Sequence, residues 1–148
     1  TLNLLIKDRN IDLTLSLDKG LPAIKADKDQ LTQVVINLVS NAIKFCDPEQ
    51  GEIKVAAWQG EEGLYCSVED NGIGVPAPLK EKIFERFHQS HLVTQDKPQG
   101  SGLGLAICRQ IVTFLGGRIW MENRAEGGAR FYFVLPLSNQ SAEQAAAE

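Results

Sequence analysis

The strongest hydrophobic pattern in the chain runs from Asp27 to Phe45. Apolar residues recur there at steps of three and four, which is the spacing of one helix face, and they are Leu31, Val34, Val35, Leu38, Ala42 and Phe45. Asp27 and Asp29 stand where an N-cap and a first-turn acid are expected. The pattern therefore predicts one long helix over Asp27–Phe45.

The opposite side of this predicted helix carries amides where a solvent face usually carries Glu and Lys. At about 100° per residue, one narrow stripe collects Gln30, Gln33, Asn37, Ser40, Asn41 and Lys44. Ile36, Val39 and Ile43 flank the stripe, so the helix is apolar nearly all round. Amides on a buried helix need hydrogen-bond partners. Neighbouring loops and a bound ligand are equally good candidates at this point.

The remaining patterns predict a mixture of strands and shorter helices. Alternating or β-rich stretches predict five strands, of which the first is expected to be half-buried: Ile11–Leu17, Glu52–Trp58, Leu64–Glu69, Arg118–Asn123 and Ala129–Leu135. Helical spacing predicts a short helix over about Pro78–Phe87 and an amphipathic helix from Gly102 to about Leu115. Strands and helices do not alternate strictly. We therefore expect an α+β fold, a two-layer α/β sandwich whose mixed, mostly antiparallel sheet is covered on one face by about three helices.

Length and composition add limits to this picture. The 148 residues suit one domain, which we assign to residues 1–137, and the Ala-, Gln- and Glu-rich residues 138–148 are expected to be a disordered tail. A net charge of -4 argues against nucleic acid as the main partner. No apolar run is long enough to span a membrane, so no direct membrane contact is expected. The three widely spaced cysteines are typical of reduced core thiols, which favours a cytoplasmic location and leaves a membrane anchor open for a longer parent protein.

Glycines cluster at two distant points of the chain. Gly72 and Gly74 follow a predicted strand, whereas Gly100, Gly102 and Gly104 precede a predicted helix. Glycine allows close backbone approach to a ligand, and a helix N-terminus suits phosphate. Neither cluster matches the dinucleotide or Walker spacing, and each alone is more typical of a tight turn.

Taken with the amide stripe, the glycine clusters provide what a purine nucleotide needs. Asp70 beside the first cluster is an acceptor for a purine amino group, and Lys44 is a cation for phosphate. Mg²⁺ keeps several waters and takes few protein ligands. Asn41, on the same helix face as Lys44, therefore suits Mg²⁺.

Five stretches, in this order, resemble the motifs of sensor histidine kinases. They are similar to the asparagine box, the first glycine box, the phenylalanine box, the second glycine box and the final strand pair, and they lie at Asn37–Phe45, Asp70–Gly74, Ile83–Phe87, Gly100–Leu105 and Gly127–Phe131. Five motifs in the right order make the resemblance specific. It covers the chain from Asp29 to about Leu137.

The resemblance implies a Bergerat-type ATP site of the GHKL superfamily, with ATP and Mg²⁺ bound. Asn41 would hold the Mg²⁺, and Asn37 and Lys44 would contact the phosphates as catalytic residues. Asp70 would accept from the adenine amino group, and Phe45 would pack near the adenine or ribose. The other implied nucleotide contacts all belong to the two glycine boxes, and they are Gly72, Gly74, Gly100, Ser101, Gly102, Leu103, Gly104 and Leu105.

The same resemblance implies partners that this chain lacks. Histidine kinases carry their phosphoacceptor histidine on a separate dimerisation domain and pass the phosphoryl group to a response regulator receiver domain. The only histidines here, His88 and His91, fall in residues 88–101, which would form the ATP lid. We therefore expect a protein-histidine kinase domain that is not self-sufficient.

Related ATPases of this fold place a Glu one turn before the metal-binding Asn, where this chain has Asn37. Without a carboxylate to activate water, phosphoryl transfer is favoured over hydrolysis. This difference argues against an ATP-driven conformational machine. A nucleotide-binding regulatory module without transfer activity remains the alternative.

Overall fold

Five strands form one mixed sheet in this computed structural model, which describes residues 11–20, 28–85 and 104–137. The strands are β1 (Ile11–Leu17), β2 (Gly51–Gly60), β3 (Gly63–Asp70), β4 (Arg118–Asn123) and β5 (Ala129–Leu135). Their order across the sheet is β1-β2-β3-β5-β4. β1 pairs with β2 in parallel, and the other three pairs are antiparallel. The predicted mixed, mostly antiparallel sheet is confirmed.

Helices α1 (Lys28–Phe45) and α2 (Gly104–Phe114) cover one face of the sheet. α1 packs on β2 and β3, whereas α2 packs on α1, β4 and β5. The predicted helix at about Pro78–Phe87 differs from expectation, because its described part forms two short 3-10 turns, Ala77–Leu79 and Lys82–Phe84. The described residues contain no helix with the length and apolar character needed to cross a membrane. The two-layer sandwich is confirmed.

The core lies between α1 and the inner face of the sheet. Val34 and Leu38 of α1 have no exposed surface, and they face buried strand residues such as Ile53 and Phe133. Burying one such side chain contributes about 1.5–3 kcal/mol. The apolar side of α1 therefore fixes its position on the sheet, and the amide stripe is carried to a defined place.

The prediction that β1 is half-buried is wrong for its leucines. Leu13, Leu15 and Leu17 are 37, 64 and 58% exposed. They are in parallel register with Ile53, Val55 and Ala57 of β2, of which Ile53 and Val55 are buried. β1 is an edge strand, and α1 packs on β2 and β3, so the described residues leave the apolar side of β1 largely uncovered.

Candidate functional site

Asp70, the last residue of β3, places a carboxylate inside the protein. Its residue surface is 2% exposed. One carboxylate oxygen, Oδ1, accepts from the backbone N–H of Gly72 at 2.8 Å and of Ala129 at 3.4 Å. No described residue donates to Oδ2. Burial raises the pKa of Asp70, and the two backbone hydrogen bonds and Arg124 oppose that rise without cancelling it.

Gly72 brings this carboxylate to the C-terminal end of α1. A Cβ atom on Gly72 would lie 1.7 Å from the carbonyl oxygen of Phe45, so no larger residue fits without moving the backbone. Backbone packing thus requires glycine at position 72, whether or not this residue also contacts a ligand. Phe45 is the last residue of the asparagine box, and Asp70 is the first residue of the first glycine box. The contact at Gly72 makes these two residues neighbours.

Asn71 fastens the same turn to the loop that follows α1. Its Oδ1 accepts from the backbone N–H of Asp47 at 3.2 Å and of Glu52 at 3.0 Å, and its Nδ2 donates to the carbonyl of Gln50 at 2.8 Å. Sequence analysis assigned Asn71 no role. Its position between Asp70 and Gly72 was the available signal, since Asn often hydrogen-bonds nearby backbone in turns.

The amide stripe of α1 meets the start of α2 at Asn37. Gln33 donates from Nε2 to Asn37 Oδ1 at 2.7 Å, and Asn37 Nδ2 donates to the carbonyl of Gly104 at 3.3 Å. Asn37 and Phe45 are eight residues apart in α1, or about 12 Å along the helix axis. One helix therefore connects the end of the second glycine cluster to the buried carboxylate of the first.

Between these two ends, Asn41 and Lys44 are half-buried on the amide stripe. The described residues offer no hydrogen-bond partner to the Asn41 side-chain amide, in contrast to Asn37. Lys44 Nζ lies 6.0 Å from the centroid of the Phe45 ring. Of the two asparagines in the stripe, Asn37 is thus held by the protein, whereas the Asn41 side chain makes no hydrogen bond within the described part of the chain.

The other predicted site residues divide into two groups. Gly74 lies in the Asp70 loop, and Leu105 is half-buried against the core at the start of α2. Gly100, Ser101, Gly102 and Leu103 lie outside the described residues, as do His88 and His91 in the predicted lid.

Comparison with known families gives a match over most of the chain. Residues 26–139 match the family described as "Histidine kinase-, DNA gyrase B-, and HSP90-like ATPase". The matched stretch includes every residue of the candidate site described above.

Individual relatives agree with this match. The chain is 40% identical over 120 residues to the phytochrome-like protein Cph1 of Synechocystis, which is 81% of this chain and 16% of that protein. The nucleotide-free catalytic domain of histidine kinase ThkA superposes with a TM-score of 0.79 at 38% identity, over 93% of this chain and 86% of that one. ThkA solved in complex with the response regulator TrrA gives a TM-score of 0.75 at 35% identity, over 93% of this chain and 37% of that one. The chain thus spans about one sixth of the length of its first curated relative.

Proposed function

Since the chain belongs to the family of histidine kinase-, DNA gyrase B- and HSP90-like ATPases, we propose that it presents ATP to a histidine acceptor. Within that family it is an ATP-binding catalytic domain of the sensor histidine kinase type. The observation that carries the proposal is the placing of a buried carboxylate and the Asn37–Gly104 contact at opposite ends of one amide-lined helix. The nucleotide lies along α1, with its base at Asp70.

The adenine end is recognised by Asp70. The Oδ2 atom, which takes no hydrogen bond from the described residues, accepts from the adenine amino group. Guanine carries a carbonyl oxygen at the equivalent position, so the carboxylate discriminates against it. Phe45 packs near the adenine or ribose, and Gly72 and Gly74 bring the loop backbone close to the nucleotide.

The phosphate end is held by Asn37, Lys44 and Asn41. Lys44 supplies positive charge, and the second glycine box supplies backbone contacts from Gly100, Ser101, Gly102, Leu103, Gly104 and Leu105. The Asn41 amide, which makes no hydrogen bond with the other described residues, fits a hard cation that takes its other ligands from phosphate and water, so Asn41 is the proposed Mg²⁺ ligand. Bound Mg²⁺ would neutralise phosphate charge during transfer.

The chain positions ATP for transfer to another protein group. Asn37 offers no carboxylate to activate water, and phosphoryl transfer depends mainly on positioning and charge stabilisation. The acceptor is a histidine on the dimerisation domain of the same parent kinase, and the next partner is a response regulator receiver domain. The solved complex of ThkA with TrrA supports that second partner. We place the domain in the cytoplasm, in keeping with its three buried cysteine side chains.

The test is phosphoryl transfer with the acceptor added back. The 148-residue chain is mixed with a dimerisation hairpin of its parent kinase, in trans or fused, and labelled with [γ-³²P]ATP and Mg²⁺. We expect acid-labile label on the hairpin histidine and very slow ATP hydrolysis by the chain alone. Asn41→Ala should fold but weaken Mg-ATP binding by about 1–3 kcal/mol.

A control variant and two contrary outcomes complete this test. Thr32→Ala, at an exposed position of the same helix, should leave Mg-ATP binding and transfer unchanged. Rapid hydrolysis by the isolated chain would contradict the transfer proposal. Tight ATP binding without transfer to any parent hairpin would instead favour the regulatory module.

A further inference from the structure

The residue that ends β4 holds the loop that follows Asp70. Asn123 Oδ1 accepts from the backbone N–H of Val75 at 2.8 Å, and Asn123 Nδ2 donates to the Val75 carbonyl at 2.6 Å. One side-chain amide therefore satisfies both backbone groups of one loop residue, much as a paired strand would. Because both the oxygen and the nitrogen of the amide are used, any substitution other than Gln removes the donor, the acceptor or both.

Gly74 shows how closely Asn123 approaches this loop. Its φ is +73°, and a Cβ atom there would lie 2.8 Å from Asn123 Oδ1. A side chain at position 74 would meet both backbone strain and this amide. The close contact with the β4–β5 hairpin thus explains why glycine stands at position 74, the last residue of the first glycine box.

The next residue, Arg124, holds the other end of the loop. Its Nη1 donates to the backbone carbonyl of Asp70 at 2.8 Å, and its Nε lies 3.2 Å from Glu69 Oε2. The Arg124 side chain is 18% exposed, and it also pairs with Glu126 at 2.9 Å. Asn123 and Arg124 thus fix Val75 and Asp70, the two ends of the loop that carries the recognition carboxylate.

We propose that Asn123, supported by Arg124, is a positioning residue for adenine recognition. It holds residues 70–75 in the arrangement in which Asp70 Oδ2 meets the adenine amino group. This inference rests on the proposed function, in which Asp70 reads that group. Hydrogen bonds weaken steeply when distance or angle departs from ideal. A loop released from Asn123 therefore spends less time in the arrangement that binds ATP.

The ratio of ATP affinity to GTP affinity separates this role from a purely structural one. A variant that is only less stable has a smaller folded fraction. Its apparent affinities for ATP and for GTP therefore fall by the same factor. Guanine has no amino group to place against Asp70 at that position, so loop release weakens GTP binding less than ATP binding. A positioning role therefore changes the ratio, and a stability role does not.

The experiment measures the Kd of Mg-ATP and of Mg-GTP for the full chain and three variants. Asn123→Ala should raise the Kd of ATP about tenfold and raise that of GTP by a clearly smaller factor, so that the ratio falls. Asn123→Asp keeps the acceptor for the Val75 N–H but sets a carboxylate oxygen against the Val75 carbonyl, and it should lower the ratio at least as much. Glu122→Ala, at the exposed neighbouring position of β4, is the control and should keep the ratio of the wild type.

An unchanged ratio in Asn123→Ala, with a wild type that prefers ATP, would overturn the inference and leave the proposed function standing. If Asn123→Ala does not fold, the ratio in the near-isosteric Asn123→Asp decides in the same way. A wild type that binds ATP but does not prefer it to GTP would overturn the recognition role of Asp70 and this inference with it. A wild type that binds no ATP would contradict the proposed function itself.

Discussion

Asp70 keeps a carboxylate in the protein interior, where an ionised group is unfavourable. Among the described residues, backbone N–H groups compensate only Oδ1, and burial still raises the pKa of Asp70 above its ordinary value. The folded chain therefore binds a proton at Asp70 more tightly than the unfolded chain does. Between the unfolded and folded pKa values, this residue lowers the free energy of unfolding as pH rises. A residue that lowers stability in this way is typical of a site built for a ligand, which fits the proposed role of Asp70 in binding nucleotide.

Asp70→Asn should consequently separate stability from binding. The amide oxygen can still accept from Gly72, while the buried charge is gone, so we expect an unchanged or higher melting temperature at neutral pH. The part of the pH dependence due to Asp70 should also disappear, as thermal unfolding from about pH 4 to about pH 8 would reveal. ATP affinity should fall at the same time, since the amide presents its NH₂ to the adenine amino group. A large loss of melting temperature at neutral pH would show that the carboxylate stabilises the fold.

At the scale of elements, aromatic side chains cover the sheet face opposite the helices. Trp58 stacks on Tyr65 with ring centroids 5.6 Å apart, and Trp120 stacks on Tyr132 at 5.0 Å. The two pairs meet edge to face, and the Arg118 guanidinium lies 4.0 Å from the centroid of the Trp120 ring. Four rings on β2, β3, β5 and β4 thus stabilise the outer face that the described helices do not reach.

Tyr132→Ala should remove the ring that contacts both tryptophans. We expect a loss of roughly 1–3 kcal/mol in the free energy of unfolding, from aromatic pairing and buried ring area. Urea unfolding followed by fluorescence measures it, because Trp58 and Trp120 are the only tryptophans in the chain. Tyr132→Phe keeps the ring and loses only the 3.0 Å contact with Arg130, so it should lose much less stability. Equal stability of the two variants would contradict a structural role for the ring.

At the scale of the whole molecule, the reactivity of the cysteine thiols measures how often the core unfolds. Cys46 follows α1, Cys66 lies in β3 and Cys108 lies in α2, and all three are buried, as the sequence predicted. Burial raises the pKa of Cys66 and of Cys108 to about 12, so almost no thiolate exists at ordinary pH. Because all three thiols are also buried, a thiol reagent can reach them only when the core opens.

Thiol labelling should be slow in the folded chain and slower still with Mg-ATP. A ligand that binds only the folded state reduces global opening by a factor of 1 + [L]/Kd, or about tenfold at about ten times the Kd. Mg-GTP at the same concentration should protect less, and denaturant should expose all three thiols. Rapid labelling of the native chain, unaffected by ATP, would show that the thiols react through local openings unrelated to nucleotide binding.

The features that the sequence determined by itself are local ones. The periodicity of residues 27–45 predicted α1, because a helix repeats its faces every few residues and its backbone bonds close within the segment. The bounds of β1, β4 and β5 were predicted to the residue, since alternation and turn residues mark them directly. Asp70, Asn41 and the glycines were likewise named from motif chemistry, and their nucleotide contacts stay predictions.

The tertiary structure decided which surfaces are covered and which side chains meet. The alternation of apolar and polar residues in β1 is the same as in a half-buried strand. Whether its apolar side is buried depends on where α1 lies across the sheet. The bond from Asn123 to Val75 joins residues 48 positions apart, and it exists because β5 lies between β3 and β4. Strand order is set by the packing of the whole domain, and no local pattern near either residue carries it. The candidate site residues could thus be named from the sequence, whereas the contacts that hold them in place required the fold.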